Sequence, residues 1–268
     1  MQCASFYAKC AMKQTVVTAG LVVIGDEILS GRTRDINIQT TAQFCTDLGI
    51  ELAEVRIVSD DIDAIVDAVN AVRARYTYVF TTGGIGPTHD DITADAIAKA
   101  FGVGLPIHPE ARAMLEARWA ETGNEATPAR LRMARIPDGA ELIVNAVSAA
   151  PGFKIGNVHV MAGVPKIMAA MLEAVAPTLQ GGRKVESRTV SAGVGEGAVG
   201  DPLGEIQSRY PDVKIGSYPQ MGNTQIMTYL VMRSHDIDLL ERATGEVQSL
   251  VDRLHAEKNI VLPKEASV

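Results

Sequence analysis

Cysteine is scarce in this chain. Its three copies, Cys3, Cys10 and Cys45, make no disulfide framework and no zinc-ligand spacing, which fits a reducing cytoplasm. No uninterrupted apolar run is long enough to cross a bilayer, and Met1 to Lys13 lacks the apolar centre of a signal peptide. Excess basic charge is absent too. The formal net charge is −7 with both signs interspersed, so neither nucleic acid nor an anionic membrane surface is an expected partner. The five histidines do not cluster, and no Ser-His-Asp or Cys-His arrangement stands out. There is no Gly-x-x-x-x-Gly-Lys-Ser/Thr loop, and Gly84-x-Gly86 is followed by His89 where a dinucleotide fingerprint needs a third glycine.

What the chain does have is a strong alternation of strand and helix. At 268 residues it can bury a full core as one large or two modest domains. Val16 to Ile24 is almost continuously apolar, which suits a strand buried on both faces. It ends in Gly25-Asp26-Glu27 and a loop through Gly31. A helix follows with Ile38, Ala42, Cys45 and Leu48 at helical spacing, stopped by Gly49. Leu52 to Val58 reads as a second strand. The stripe Ile62, Ile65, Val66, Val69 and Val72 then reads as a helix that Asp60 or Asp61 can cap. A third strand, Tyr76 to Phe80, leads into Thr81-Thr82-Gly83-Gly84-Ile85-Gly86-Pro87-Thr88-His89-Asp90-Asp91-Ile92-Thr93 and another helix. This order implies a mostly parallel sheet with helices on both faces.

Strand, glycine-rich turn and helix start leave backbone N–H groups free to meet an anion. Yet this loop holds two adjacent aspartates and no lysine, so a bare phosphate would be repelled. The parallel reading also sends Asp26/Glu27 and Asp60/Asp61 to the same carboxyl edge, where open α/β sheets place ligands. The expected ligand therefore carries phosphate with a bridging cation, or hydroxyl and amino groups for the carboxylates. Simpler roles exist: Asp90 or Asp91 could cap the following helix, and Asp60 could cap its own. Arg130, Arg132 and Arg135 could clamp phosphate or form a solvated helix face. Lys166, beside Pro165 at a helix start, opposes the helix dipole at a cost of about 0.3–1 kcal/mol, which a ligand phosphate would offset.

Further along, Pro109 to Glu121 reads as a helix with the only tryptophan, Trp119, and Ala129 to Met133 as a further turn. Glu141 to Val144 and Asn157 to Met161 read as strands, and a helix after Pro165 aligns Met168, Met171, Leu172, Val175 and Leu179. Gly181-Gly182 marks the domain boundary. Beyond it the pattern gives strand 184–191, helix 197–208, strands 213–217 and 225–233, and helix 236–254: a small α+β domain. The expected organisation is an extension over 1–13, a first domain over 14–180 and a second over 183–268.

Several segments together resemble the MoaB/Mog molybdopterin-binding domain family: Gly25-Asp26-Glu27-Ile28-Leu29-Ser30-Gly31, Asp35-Ile36-Asn37, the stretch Thr82 to Thr93, and Gly163-Val164-Pro165-Lys166. More narrowly they resemble the amino-terminal part of CinA, the competence/damage-inducible protein. Gly195-Glu196-Gly197, Tyr210-Pro211 and Ile215-Gly216-Ser217-Tyr218-Pro219 are similar to the small domain that follows there and in the molybdopterin-binding-like part of eukaryotic FAD synthases. Arg132-Met133-Ala134-Arg135-Ile136-Pro137 leans toward that second branch.

The resemblance implies a three-layer α/β/α domain followed by the smaller α+β domain, assembling as a dimer or trimer. It implies a pterin or nucleotide ligand, with Asp60 and Asp91, and by extension Asp90, serving any chemistry. The implied ligand contacts are Gly25, Asp26, Glu27, Gly83, Gly84, Gly86, Thr88, His89, Thr93, Arg132, Gly163, Pro165 and Lys166. Mg2+ or another divalent cation would sit on Asp26, Asp60 and Asp91; molybdopterin is the alternative bound group. A second activity implied by the likeness is metal-dependent cleavage of FAD or ADP-ribose to AMP; a third reading is a silent sensor or assembly module. Asp95 stands where these relatives often carry glutamate. Neither the CinA deamidase domain nor the nucleotidyl-transferring FAD-synthase domain is present, so deamidation and FAD synthesis are not expected.

Overall fold

β1 (Thr18–Ile24) alternates its side chains between two cores, and this alternation organises the first part of the molecule. The computed structural model describes residues 16–220 and 227–258; the expected extension over 1–13 lies outside them. After β1 come α1 (Asp26–Leu29), α2 (Asn37–Asp47), β2 (Glu51–Val58), α3 (Ile62–Arg73), β3 (Tyr78–Thr82) and α4 (Thr93–Phe101). Then follow α5 (Pro109–Thr122), α6 (Pro128–Leu131), β4 (Glu141–Ile143), β5 (Gly152–Ile155), β6 (Val158–Met161) and α7 (Pro165–Val175).

The six strands form one sheet in the order β2-β1-β3-β6-β5-β4. The first four are mutually parallel; β5 runs antiparallel to β6, and β4 antiparallel to β5. Ala19, Leu21 and Val23 face Cys45 of α2 and Met168, Met171 and Leu172 of α7. Val22 and Ile24 face Ile65 and Val69 of α3, Ile97 of α4 and Trp119 of α5. Three layers result. Each fully buried side chain of this kind contributes roughly 1.5–3 kcal/mol.

Local chemistry explains the element ends. Of the two candidate caps for α3, Asp61 does the work: its Oδ1 accepts from Ala64 N at 2.9 Å. Asp60 is thereby free of the capping role. The segment after Gly25 begins with a helical turn rather than a loop, and its two acidic residues suit a helix start. The strand β5 was not expected, because Ala150-Pro151-Gly152 reads as a turn. Pro151 precedes the strand instead, where its missing N–H breaks no ladder bond.

A second unit begins at Lys184. It comprises β7 (Glu186–Ser191), α8 (Gly200–Arg209), β8 (Lys214–Gln220), β9 (Met227–Ser234) and α9 (Ile237–Lys258). Its antiparallel sheet runs β7-β9-β8. Val190, Leu230 and Met232 pack on Leu203 and Ile206 of α8 and on Leu240, Val247 and Val251 of α9. Among the described residues no helix is long and apolar enough to cross a membrane.

Candidate functional site

The carboxyl ends of β1, β3 and β6 converge on a cleft of about 470 Å3. Its walls include Gly25 and Glu27 after β1, Asp60 after β2, Gly83, Gly84, Gly86, Asp90 and Asp91 after β3, and Gly163 after β6. This is the edge where an open α/β sheet leaves a crevice. Gly83 and Gly84 adopt φ of 106° and 67°, where a side chain is strained. Space forbids one as well: a Cβ on Gly83 would lie 2.1 Å from Ile24 O, and one on Gly84 would lie 2.2 Å from Thr93 Oγ1. Gly83 N is tied to Met161 O at 3.1 Å, whereas the N–H groups of Gly84, Ile85 and Gly86 meet no acceptor among the described residues.

Neither loop aspartate caps α4, whose N-cap is Ile92 with no side-chain bond. Asp91 Oδ2 instead accepts from Thr88 N at 2.8 Å and Thr88 Oγ1 at 2.6 Å, closing the loop on itself. Asp60 Oδ2 accepts from Asp26 N at 2.9 Å, which joins the ends of β1 and β2. Burial raises the Asp60 carboxyl above the usual aspartate range. The Asp26 N–H opposes that shift, and the negative charges of Asp26, Glu27 and Asp90 add to it.

Other expected site residues sit elsewhere. Thr93 is buried and donates from Oγ1 to Gly83 O at 2.9 Å, so it holds the loop rather than facing the cleft. Thr88 is exposed and occupied with Asp91. The His89 side chain is 99% exposed, with Nδ1 3.9 Å from Asp90 Oδ1. Lys166 is exposed at the start of α7 and borders no part of the cleft. Pro165 borders a smaller recess behind it. The Asp26 side chain is likewise exposed, and its N–H donates to Asp60.

The arginine group divides. Arg130 bonds Glu125 O and Asn124 Oδ1. Arg135 makes a two-pronged pair with Asp95 at 2.8 and 2.6 Å. Arg132 bonds the loop, donating from Nη2 to Asp91 O at 3.2 Å. Together with Arg135 it lines a narrow side recess beside Gly84, Gly86 and Asp91 rather than the main cleft. Asp26, Asp60 and Asp91 do not converge as a cage: among the described residues no three His, Cys, Asp or Glu stand close enough to hold a metal ion.

One wall was missed from sequence. Gly152 of β5 lies beside Met161, so the β4–β5 connection falls at the carboxyl edge, and its Ser148 and Ala150 line the cleft. Asn145 organises that connection. Its Oδ1 accepts from Val147 N, Ser148 N and Ser148 Oγ at 3.0, 2.8 and 3.2 Å, and its Nδ2 donates to Ala150 O at 2.6 Å. Ala149 has φ of 59°, the single positive φ outside glycine among the described residues. An asparagine followed by serine three positions on is the pattern of a side-chain-closed turn, the signal that was available.

Fold and site define a three-layer α/β domain with a glycine- and acid-lined cleft at the carboxyl edge of its sheet. Residues 20–181 match the family described as "Probable molybdopterin binding domain". The chain belongs to this molybdopterin-binding domain family. Residues 184–259 match the domain described as "FAD synthase, middle domain". A protein of Aeropyrum pernix is 34% identical over 88% of this chain and 91% of its own length. A CinA-like protein of Desulfosudis oleivorans is 36% identical over 74% of this chain, but the match spans only 51% of that relative. The crystal structure of CinA from Thermoplasma acidophilum, a protein described there as of unknown function, superposes with a TM-score of 0.57 at 36% identity. It covers 61% of this chain and 98% of its own.

Proposed function

We propose that the cleft binds a pterin, as the family's description suggests, or a nucleotide, in either case through its phosphate. The observation that carries this reading is the pairing of the N–H groups of Gly84, Ile85 and Gly86, which meet no acceptor among the described residues, with a ring of carboxylates. The N–H groups would hold phosphate oxygens. The carboxylates of Asp60, Glu27, Asp90 and Asp91 repel a bare phosphate, so a divalent cation shared between them and the ligand completes the charge balance. A Mg2+ ion held by one or two carboxylates and the ligand's own phosphates fits this donor set better than a fully protein-caged metal. When bound, the cation would neutralise phosphate charge; the chain's own part is to orient the ligand and exclude water.

Calorimetry with AMP, ADP-ribose, FAD and molybdopterin, each with and without Mg2+, tests this. The expected result is Mg2+-assisted binding of at least one of them, weakened about tenfold by Asp60→Asn. No binding of any of the four, with or without metal, overturns it. AMP released from FAD or ADP-ribose would add hydrolysis to the reading. A homo-oligomer is part of the proposal and is checked by light scattering.

A further inference from the structure

Behind the main cleft lies a recess of about 60 Å3 that shares Ile24, Glu27 and Gly163 with it. Its inner wall is Asn37, the first residue of α2, which is only 4% exposed. The amide has one defined orientation, because Nδ2 donates to Gly163 O at 2.8 Å. That bond leaves Oδ1 buried with no hydrogen-bond partner among the described residues. A buried carbonyl oxygen without a donor carries the full loss of its hydration. Thr41 Oγ1, one turn further along the same helix, is unpartnered as well.

The recess is polar. Glu27 and Asp35 line it together with Arg34, Thr33 and Thr82, and Asp35 Oδ1 already accepts from Ile38 N at 2.7 Å. The volume equals roughly two water-sized spaces of about 30 Å3 each, too small for a ring but sufficient for a substituent. A donor entering from the cleft would therefore meet the wall formed by Asn37, whose Oδ1 no described residue satisfies.

We propose that this recess is a specificity subsite that takes one hydrogen-bond donor of the ligand, an amino or hydroxyl group, on Asn37 Oδ1. The inference rests on the phosphate-binding reading of the cleft and names the part of the ligand that reading leaves open. A nucleotide offers three such donors, the exocyclic amine of adenine and the ribose 2′- and 3′-hydroxyls.

The test is calorimetry on the full chain with Mg2+, using AMP, inosine monophosphate, 2′-deoxy-AMP and 3′-deoxy-AMP. The wild type is expected to bind AMP at least tenfold tighter than one of the other three, and which one identifies the donor. Asn37→Leu and Asn37→Asp both lose the bond to Gly163, but only Asn37→Asp keeps an acceptor. A purely structural role for Asn37 moves both variants alike. The proposal expects the preference to disappear in Asn37→Leu and to persist in Asn37→Asp. Equal binding of all four nucleotides by the wild type overturns the subsite and leaves the phosphate reading standing. So does a preference that survives Asn37→Leu. No binding of any of these nucleotides, nor of ADP-ribose, FAD or molybdopterin, overturns both. If Asn37→Leu does not fold, the wild-type comparison together with Asn37→Asp still decides.

Discussion

Gly83, Gly84 and Gly86 at the cleft and Gly195, Gly197 and Gly200 in the second unit are three closely spaced glycines each, yet a methyl group would meet opposite surroundings in the two sets. In the first, a Cβ would lie 2.1, 2.2 and 2.6 Å from Ile24 O, Thr93 Oγ1 and Asp91 Oδ2. In the second, no atom lies within 4 Å of any of the three added groups. Glycine in the first loop lets backbone approach backbone at the rim of a cleft. In the second unit it leads into a short 3-10 turn, Glu196–Ala198, whose Glu196 carboxylate accepts from Ser217 Oγ at 2.7 Å. Glycine content alone therefore says little about a ligand; what the missing side chain would strike says more.

The sharpest way to break this contrast is Gly83→Ala. It combines a positive φ, about 1–2 kcal/mol, with an overpacking cost of about 1–3 kcal/mol. Urea denaturation is expected to show a loss of about 2–5 kcal/mol for the first unit. A smaller loss would mean that the loop can shift away from Ile24.

Acid should also separate the two units. His159 of β6 is buried, its ring packed beside Tyr78 and Phe80, and burial pushes its pKa down from 6.5 to about 4. The unfolded chain takes up a proton near pH 6.5 while the fold resists until about 4. Stability is thus full above 6.5 and falls as pH drops through that window, by about 3 kcal/mol in all. Denaturation at pH 7 and pH 4.5 measures it, and His159→Phe should flatten the slope.

Asn145→Ala removes several bonds of the Ser148 wall and is expected to cost about 2 kcal/mol in the same assay. Ala149→Gly is the mirror of the loop substitution. It relieves a side chain at φ 59° and is expected to add up to about 1 kcal/mol. At the bottom of the scale, Gly195→Ala and Gly197→Ala should stay within about 0.5 kcal/mol of the parent. A large effect there would show that the second loop is under a constraint that its open surroundings do not reveal.

The parallel half of the sheet was legible because its strands are continuous apolar runs and its helices carry clean stripes, as in Ile65, Val69 and Val72. The arrival of Asp60 and Asp91 at one edge followed from that order alone. The antiparallel end was harder: β5 is four residues long and starts on a glycine after proline, so local chemistry reads it as a turn. Missing that strand hid the Ser148 wall, since only the strand reversal carries the connection to the cleft. The arginines misled for another reason. Spacing groups Arg130, Arg132 and Arg135, but Asp95, 40 positions before Arg135, claims one of them, and no local pattern foretells such a partner. The aspartate caps were a matter of single-residue register, where Asp61 and Ile92 took positions that Asp60 and Asp91 could equally have filled.

The β4–β5 connection differs from every other wall of the cleft in what it would tolerate. Apart from Met133, the remaining walls follow parallel strands, whose spacing is locked by helical crossovers. This one joins two antiparallel neighbours, so residues can be added between Ile143 and Gly152 without altering a strand pairing. Doubling the length of such a loop costs only about 0.6 kcal/mol of closure entropy. It is the natural graft point of the domain: a splice there would reshape the chamber while leaving its floor untouched, which makes ligand size the property most easily re-engineered.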